Sequence, residues 1–227
     1  MKRQRGFTLV EMMVVVAIAG ALVVVAAPYM RDAIRHTRLK GATRDLAGAL
    51  HYARAQAIRT QVNHVVMFGT TPNGNPLPSA AIVLTDTDGD GQIDLNETVM
   101  MVPRDPGREF QGLPRTSAFG KTNADGIPDD APDPLNLFDD ATGAVSSFRD
   151  PSGAATNQIV FQSDGIPRTY DPGPPFDMGT VGSGGGAVYV TNGNPATGQP
   201  GRDYAIVLQP LGGVRVSVWD PVSEVWK

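Results

Sequence analysis

Twelve consecutive residues carry the densest chemistry in the chain: Asp86-Thr87-Asp88-Gly89-Asp90-Gly91-Gln92-Ile93-Asp94-Leu95-Asn96-Glu97. Asp86, Asp88 and Asp90 offer side-chain oxygens at alternate positions. Gln92 offers a backbone carbonyl, Asp94 can act directly or through water, and Glu97 can close the shell with two oxygens. Gly91 falls where such a loop must turn sharply. This spacing is that of a twelve-residue calcium loop. The bland alternative is a solvated acidic turn, but five carboxylates this close, with no Lys or Arg among them, repel one another unless a cation is present. Calcium suits the set better than magnesium, because a large hard cation accepts many oxygens on a flexible loop. Ile93 is expected to point inward. The flanks read as strands, so the expected role of Ca2+ is structural: a stapled connection rather than a helix-loop-helix sensor.

A second chemical oddity is Glu11. It is the only charge between Phe7 and Ala27, a run that includes Val14, Val15, Val16, Ile18, Leu22, Val23, Val24 and Val25. About 20 apolar helical residues span a bilayer core, and a carboxylate there costs about 2.5–3.5 kcal/mol, so such residues usually have a function. A secretory signal peptide and a plain anchor both fit the apolar run, and neither explains Glu11. Lys2, Arg3 and Arg5 precede the run and favour a cytoplasmic N-terminus.

Enzyme chemistry finds little support. His36, His51 and His64 belong to no metal or triad motif, and Ser183 lies in a glycine run without the nucleophile-elbow pattern. The chain has no cysteine, which removes thiol catalysis and cysteine-zinc sites. Its net charge of -4 argues against a general nucleic-acid binder. No enzymatic activity is expected.

The elements that must position these residues follow from periodicity. Residues 29–61 read as a helix, with Leu39, Leu46, Leu50 and Ala57 at helical spacing and Ala42, Ala49 and Ala53 beside them. Arg31, Arg35, Arg38, Lys40, Arg44, Arg54 and Arg59 are expected on its solvated faces. Pro28 either bends this helix or separates it from the apolar one; helix signals resume at once, which favours a bend. Strands are expected at 64–68, 80–84, 98–102, 158–161, 187–190, 204–208 and 214–219, with Gly/Pro/Asn/Asp clusters between them. The long segments 103–145 and 171–186 are expected to be functional loops or disordered. The class is α+β: a long N-terminal helix, half membrane-spanning and half amphipathic, packed on a β-rich head.

Gly6-Phe7-Thr8-Leu9-Val10-Glu11, behind a short basic leader, resembles the processing site of type IV prepilins and type II secretion pseudopilins. Ala53-Arg54-Ala55-Gln56-Ala57-Ile58-Arg59 resembles the end of the long helix in the GspH/FimT branch, and Phe161-Gln162-Ser163-Asp164-Gly165 resembles a turn in its heads. The resemblance implies cleavage by prepilin peptidase between Gly6 and Phe7, N-methylation of Phe7, and pairing of Glu11 with the terminal amine of a neighbouring subunit. It divides the chain into leader 1–6, assembly helix 7–28, amphipathic helix 29–61 and head 62–227. A proline such as Pro28 is often a bend in this family. The implied function is a minor pilin that primes or forms the tip of a type IV pilus, with other minor pilins, a major pilin and the inner-membrane assembly platform as partners. The alternatives are a minor pseudopilin of type II secretion and a pilus-tip binder used in adhesion or DNA uptake. Gly212-Gly213-Val214-Arg215 lies where DNA-uptake relatives carry a glycine-arginine motif, which makes Arg215 the candidate DNA contact; as the single arginine there it is a weak one beside the reading as a glycine hairpin turn followed by an exposed arginine. The implied location is the inner membrane with the head periplasmic, then the fibre.

Overall fold

A single helix, α1 (Leu9–Thr60), begins in the apolar run and continues unbroken past Pro28. The computed structural model describes residues 9–70, 76–85, 98–102, 118–119, 122, 145–171, 177–193 and 201–227. Glu11 lies in the first turn of α1 and Arg59 in its last, each complementing the helix dipole. The helix stops at Gln61, which takes a left-handed conformation (φ 59°) and returns its N–H to the Ala57 carbonyl at 3.0 Å. By compactness the chain falls into two units, Met1–Thr37 and Arg38–Lys227.

The first unit, as far as it is described, is helix with its apolar side chains exposed. Leu9, Val10, Met12 and every large aliphatic residue to Val25 are at least half exposed. A helix with exposed apolar side chains all round belongs in lipid or against other helices.

The second unit is built from the rest of α1 and eleven strands: β1 (His64–Thr70), β2 (Pro76–Thr85), β3 (Thr98–Val102), β4 (Ala118–Phe119), β5 (Gln158–Phe161), β6 (Pro167–Asp171), β7 (Asp177–Met178), β8 (Gly186–Thr191), β9 (Asp203–Leu208), β10 (Val214–Asp220) and β11 (Val225–Trp226). One sheet has the order β3-β2-β1-β5-β6-β7 and the other β11-β10-β9-β8-β4. Every described pair is antiparallel. The seven strands expected from sequence are present, most a residue or more longer. β4, β6, β7 and β11 are additions. Three of these have only two residues, too short to show alternation, and β6 opens on a proline, which reads as a strand breaker away from an edge or a first position.

The core explains the continuous apolar runs. On β1, Val66 and Phe68 join one cluster with Leu39, Leu46, Leu50 and Ala53 of the helix and Val188, Ile206 and Leu208 of the second sheet. The alternate residues Val65 and Met67 join Ile82, Leu84, Val160 and Tyr170 in a separate buried cluster. Side chains alternate across a strand, so both faces of the sheet are buried and no polar alternation survives in the sequence. The small residues Ala42, Ala49, Ala53 and Ala57 let the helix approach the sheets closely, while the three leucines fill the space between. Phe68 anchors the centre, with Phe148 stacked at 6.0 Å and Phe119 edge-on at 6.2 Å.

Candidate functional site

Two regions bear on function: the exposed apolar helix, and the set of turns against which its other end is fixed. Glu11 lies within the exposed apolar stretch, one turn or less from the first described residue. Gly6 and Phe7 lie outside the described residues, as do Asp86, Asp88, Asp90, Gln92, Asp94 and Glu97. What is described of the acidic loop is its two ends. β2 ends at Thr85 and β3 begins at Thr98, and the two strands pair antiparallel with Leu84 opposite Thr98. Residues 86–97 therefore connect paired strands rather than helices. Among the described residues no group of three or more His, Asp or Glu is placed to hold a metal.

At its C-terminal end α1 is clamped to two glycine turns. Phe161 ends β5, and Gly165 donates its N–H to the Gln162 carbonyl at 2.8 Å with φ +72°. Asp164 closes the turn: its carboxylate accepts from the Ile166 N–H and from the Arg168 guanidinium, each at 2.8 Å. A Cβ on Gly165 would stand 2.5 Å from Ile58 Cδ1. The second turn joins β9 to β10. Gly212 donates to the Gln209 carbonyl at 2.8 Å with φ +81°, and its own carbonyl accepts from Arg54 Nη1 at 2.8 Å. A Cβ there would meet the Gly165 carbonyl oxygen at 2.9 Å and the Arg54 guanidinium at 3.1 Å.

Arg54 was expected on a solvated helix face, and this is where the structure departs from that expectation. It is half-buried and spans from the helix to the β9–β10 turn. Its neighbours Ala53 and Ala57 are fully buried, which places Arg54 at the margin of the core-facing stripe. That position was the available signal, since an arginine beside two buried alanines borders the packed face. Arg31, Arg35, Arg38, Lys40, Arg44 and Arg59 are exposed as expected.

Sequence reasoning also passed over Asp203. It is fully buried and accepts from the Thr122 N–H at 2.9 Å and the Thr122 hydroxyl at 3.1 Å. Thr122 Oγ1 in turn lies 3.1 Å from Thr191 Oγ1 and accepts from the Gly201 N–H. The knot ties the segment after β4 to the ends of β8 and β9. No sequence pattern announces it, because its members are 69 and 81 residues apart. Arg215 sits on β10, exposed, three residues beyond the Gly212 turn.

Comparison with known families gives two matches. Residues 1–27 match the prokaryotic N-terminal methylation motif, and residues 42–119 match the type II transport protein GspH. No solved structure matches the chain. An exposed apolar helix that carries this motif and runs into a head of antiparallel sheets has the build of a type IV prepilin-like protein, and the motif and the helix together support anchoring by a single span. The GspH match, over about a third of the chain, narrows what it resembles: together the two matches support a minor pilin or pseudopilin of the GspH type, a family of structural subunits. Such a family implies association with other pilins and with the membrane assembly machinery.

Proposed function

We propose that this chain is a minor subunit of a type IV pilus, made as a precursor, cut by prepilin peptidase between Gly6 and Phe7 and N-methylated at Phe7. In this reading the N-terminus starts on the cytoplasmic side of the inner membrane, the head is periplasmic, and the subunit moves into the fibre to prime or form its tip. The observation that carries the proposal is the helix itself: apolar and uncovered from Leu9 to Val25, yet continuous with the stripe that forms the core of the head. Such a helix can exchange lipid for neighbouring helices without refolding the head. Cleavage would leave an amine on Phe7 four residues before Glu11, on the same helix face. A charge pair in lipid costs less than two isolated charges, so pairing between neighbouring subunits would set the register of assembly.

The GspH match favours a second reading, a minor pseudopilin of type II secretion. Mass spectrometry of sheared surface fibres separates the two. Small amounts of the chain beside a major pilin, with a methylated Phe7 as N-terminus, are expected for the pilus. A processed form confined to the cell envelope would support the pseudopilin instead.

The proposal extends to calcium at Asp86, Asp88, Asp90, Gln92, Asp94 and Glu97. Its support is the sequence spacing together with the paired strands on either side, which calcium would tie at one end. Compartments outside the cytoplasm hold enough calcium for sites of about 10⁻⁴–10⁻³ M.

A further inference from the structure

We propose that the cationic segment directly after the apolar span, Arg31, Arg35, Arg38 and Lys40, binds the phosphates of anionic lipids at the surface of the bilayer that holds the helix. The inference rests on the membrane anchoring stated above and adds a partner to it. All four side chains are exposed. Asp32 is the one acidic residue between Pro28 and Lys40, and it lies 4.0 Å from Arg35 while remaining largely exposed itself.

Position selects the partner. The apolar run ends at Ala27. At about 1.5 Å per residue, Arg31 lies about 6 Å beyond it and Arg35 about 12 Å. The headgroup layer on one side of a bilayer is about 5–8 Å thick, and arginine stems lie along apolar surface while the charged head reaches polar groups. Arg31 and Arg35 therefore meet the phosphates directly. Arg38 and Lys40 act from above, near the reach of the surface field, which fades over a Debye length of about 8–10 Å. Tyr29, 76 % exposed at the start of this segment, is the residue type that settles at such an interface. Burial in the second unit begins at Leu39, while Arg31 and Arg35 in the first unit are exposed.

Charge counting gives independent support. Lys2, Arg3 and Arg5 precede the span, but Arg31, Arg35, Arg38, Lys40 and Arg44 follow it within twenty residues. Cations on the translocated flank work against crossing and add nothing to orientation. Once across, they hold the helix at a fixed depth against an anionic leaflet. Each engaged side chain contributes on the order of fivefold in affinity for such a surface.

The test uses the full chain in bilayer nanodiscs of phosphatidylcholine containing a small equal fraction of spin-labelled phosphatidylcholine or phosphatidylglycerol. The wild type is expected to hold labelled phosphatidylglycerol several-fold more than phosphatidylcholine, with the preference falling at 1 M salt (roughly a 3 Å screening length). The variant Arg31→Gln/Arg35→Gln/Arg38→Gln/Lys40→Gln is expected to lose most of that preference with no change in the thermal melt of the head. Equal retention of the two lipids by the wild type, or an undiminished preference in the variant, would overturn the proposal. Loss of fibre incorporation by the variant with lipid preference intact would also overturn it, in favour of an acidic face on a neighbouring subunit. A chain that fails to enter either nanodisc would overturn the anchoring itself, and the lipid site with it.

Discussion

Arg54 and the two glycines around it show how single residues fix the end of the helix. The guanidinium donates to the Gly212 carbonyl, and a hydrogen bond from a charged donor contributes about 1.5–3 kcal/mol. Arg54→Ala is expected to lower the stability of the head by about that amount, read as a shift in urea midpoint. The glycines differ in what surrounds them. A Cβ at Gly165 presses on Ile58 Cδ1, the free end of a side chain that is 46 % exposed and can swing away. A Cβ at Gly212 presses on a backbone carbonyl 2.9 Å away that is held in its own turn. Both positions have positive φ, where alanine costs about 1–3 kcal/mol. Gly212→Ala is therefore expected to destabilise more than Gly165→Ala in the same measurement. His64 supplies a pH dependence. Burial pushes its imidazole below the ordinary value of 6.5, opposed by a bond to the Val62 carbonyl. The unfolded chain then takes up the proton first as pH falls, so this stability is present above about pH 6.5 and declines below it. Urea midpoints at pH 7.5 and 5.5 should differ, and His64→Gln should narrow the difference.

At the scale of elements, α1 has two environments along one uninterrupted length. Its second half is held by Leu39, Leu46 and Leu50, all fully buried between two sheets. Leu46→Ala leaves a cavity that neighbours on both sheets would have to collapse into, at a cost of about 2–5 kcal/mol; a smaller loss in urea unfolding would mean that the helix shifts to fill the space. The large apolar side chains of its first half, Leu9 to Val25, are exposed. Pro28 lacks the N–H that a helix interior uses, and the helix nevertheless continues through it. The sheets divide their labour as well. The β9–β10 and β5–β6 connections carry the glycine turns that receive Arg54 and Ile58, while β2 and β3 flank the acidic loop.

For the molecule as a whole, the proposed assembly role and the proposed calcium site fall in different units. Glu11→Ala is expected to leave the head folded, since Glu11 lies outside the unit that contains the core, but to reduce the amount of the chain in sheared fibres several-fold. Normal incorporation would remove the proposed register-setting role. The proposed calcium loop falls in the other unit. Protein lacking residues 1–28 should melt at a higher temperature in millimolar calcium than in chelator, by a few degrees per kcal/mol of binding linkage. Asp88→Asn combined with Glu97→Gln should remove the difference, and an unchanged wild-type melt would count against the site.

The amino-acid sequence by itself determined the long helix, the seven principal strands and the family resemblance, because these rest on local patterns: an apolar run with one carboxylate, a 3.6-residue stripe of leucine and alanine, and short β-branched runs between turn residues. The family matches over 1–27 and 42–119 agree with that reading. Tertiary structure decided what depends on distant partners. The two-residue strands β4, β7 and β11 exist only because a longer strand lies beside each. Arg54 and Gly212 meet across 158 residues, and Thr122 and Asp203 across 81. A hydrogen bond between residues so far apart leaves no local periodicity, since its energy is gained only after the chain has closed the loop between them.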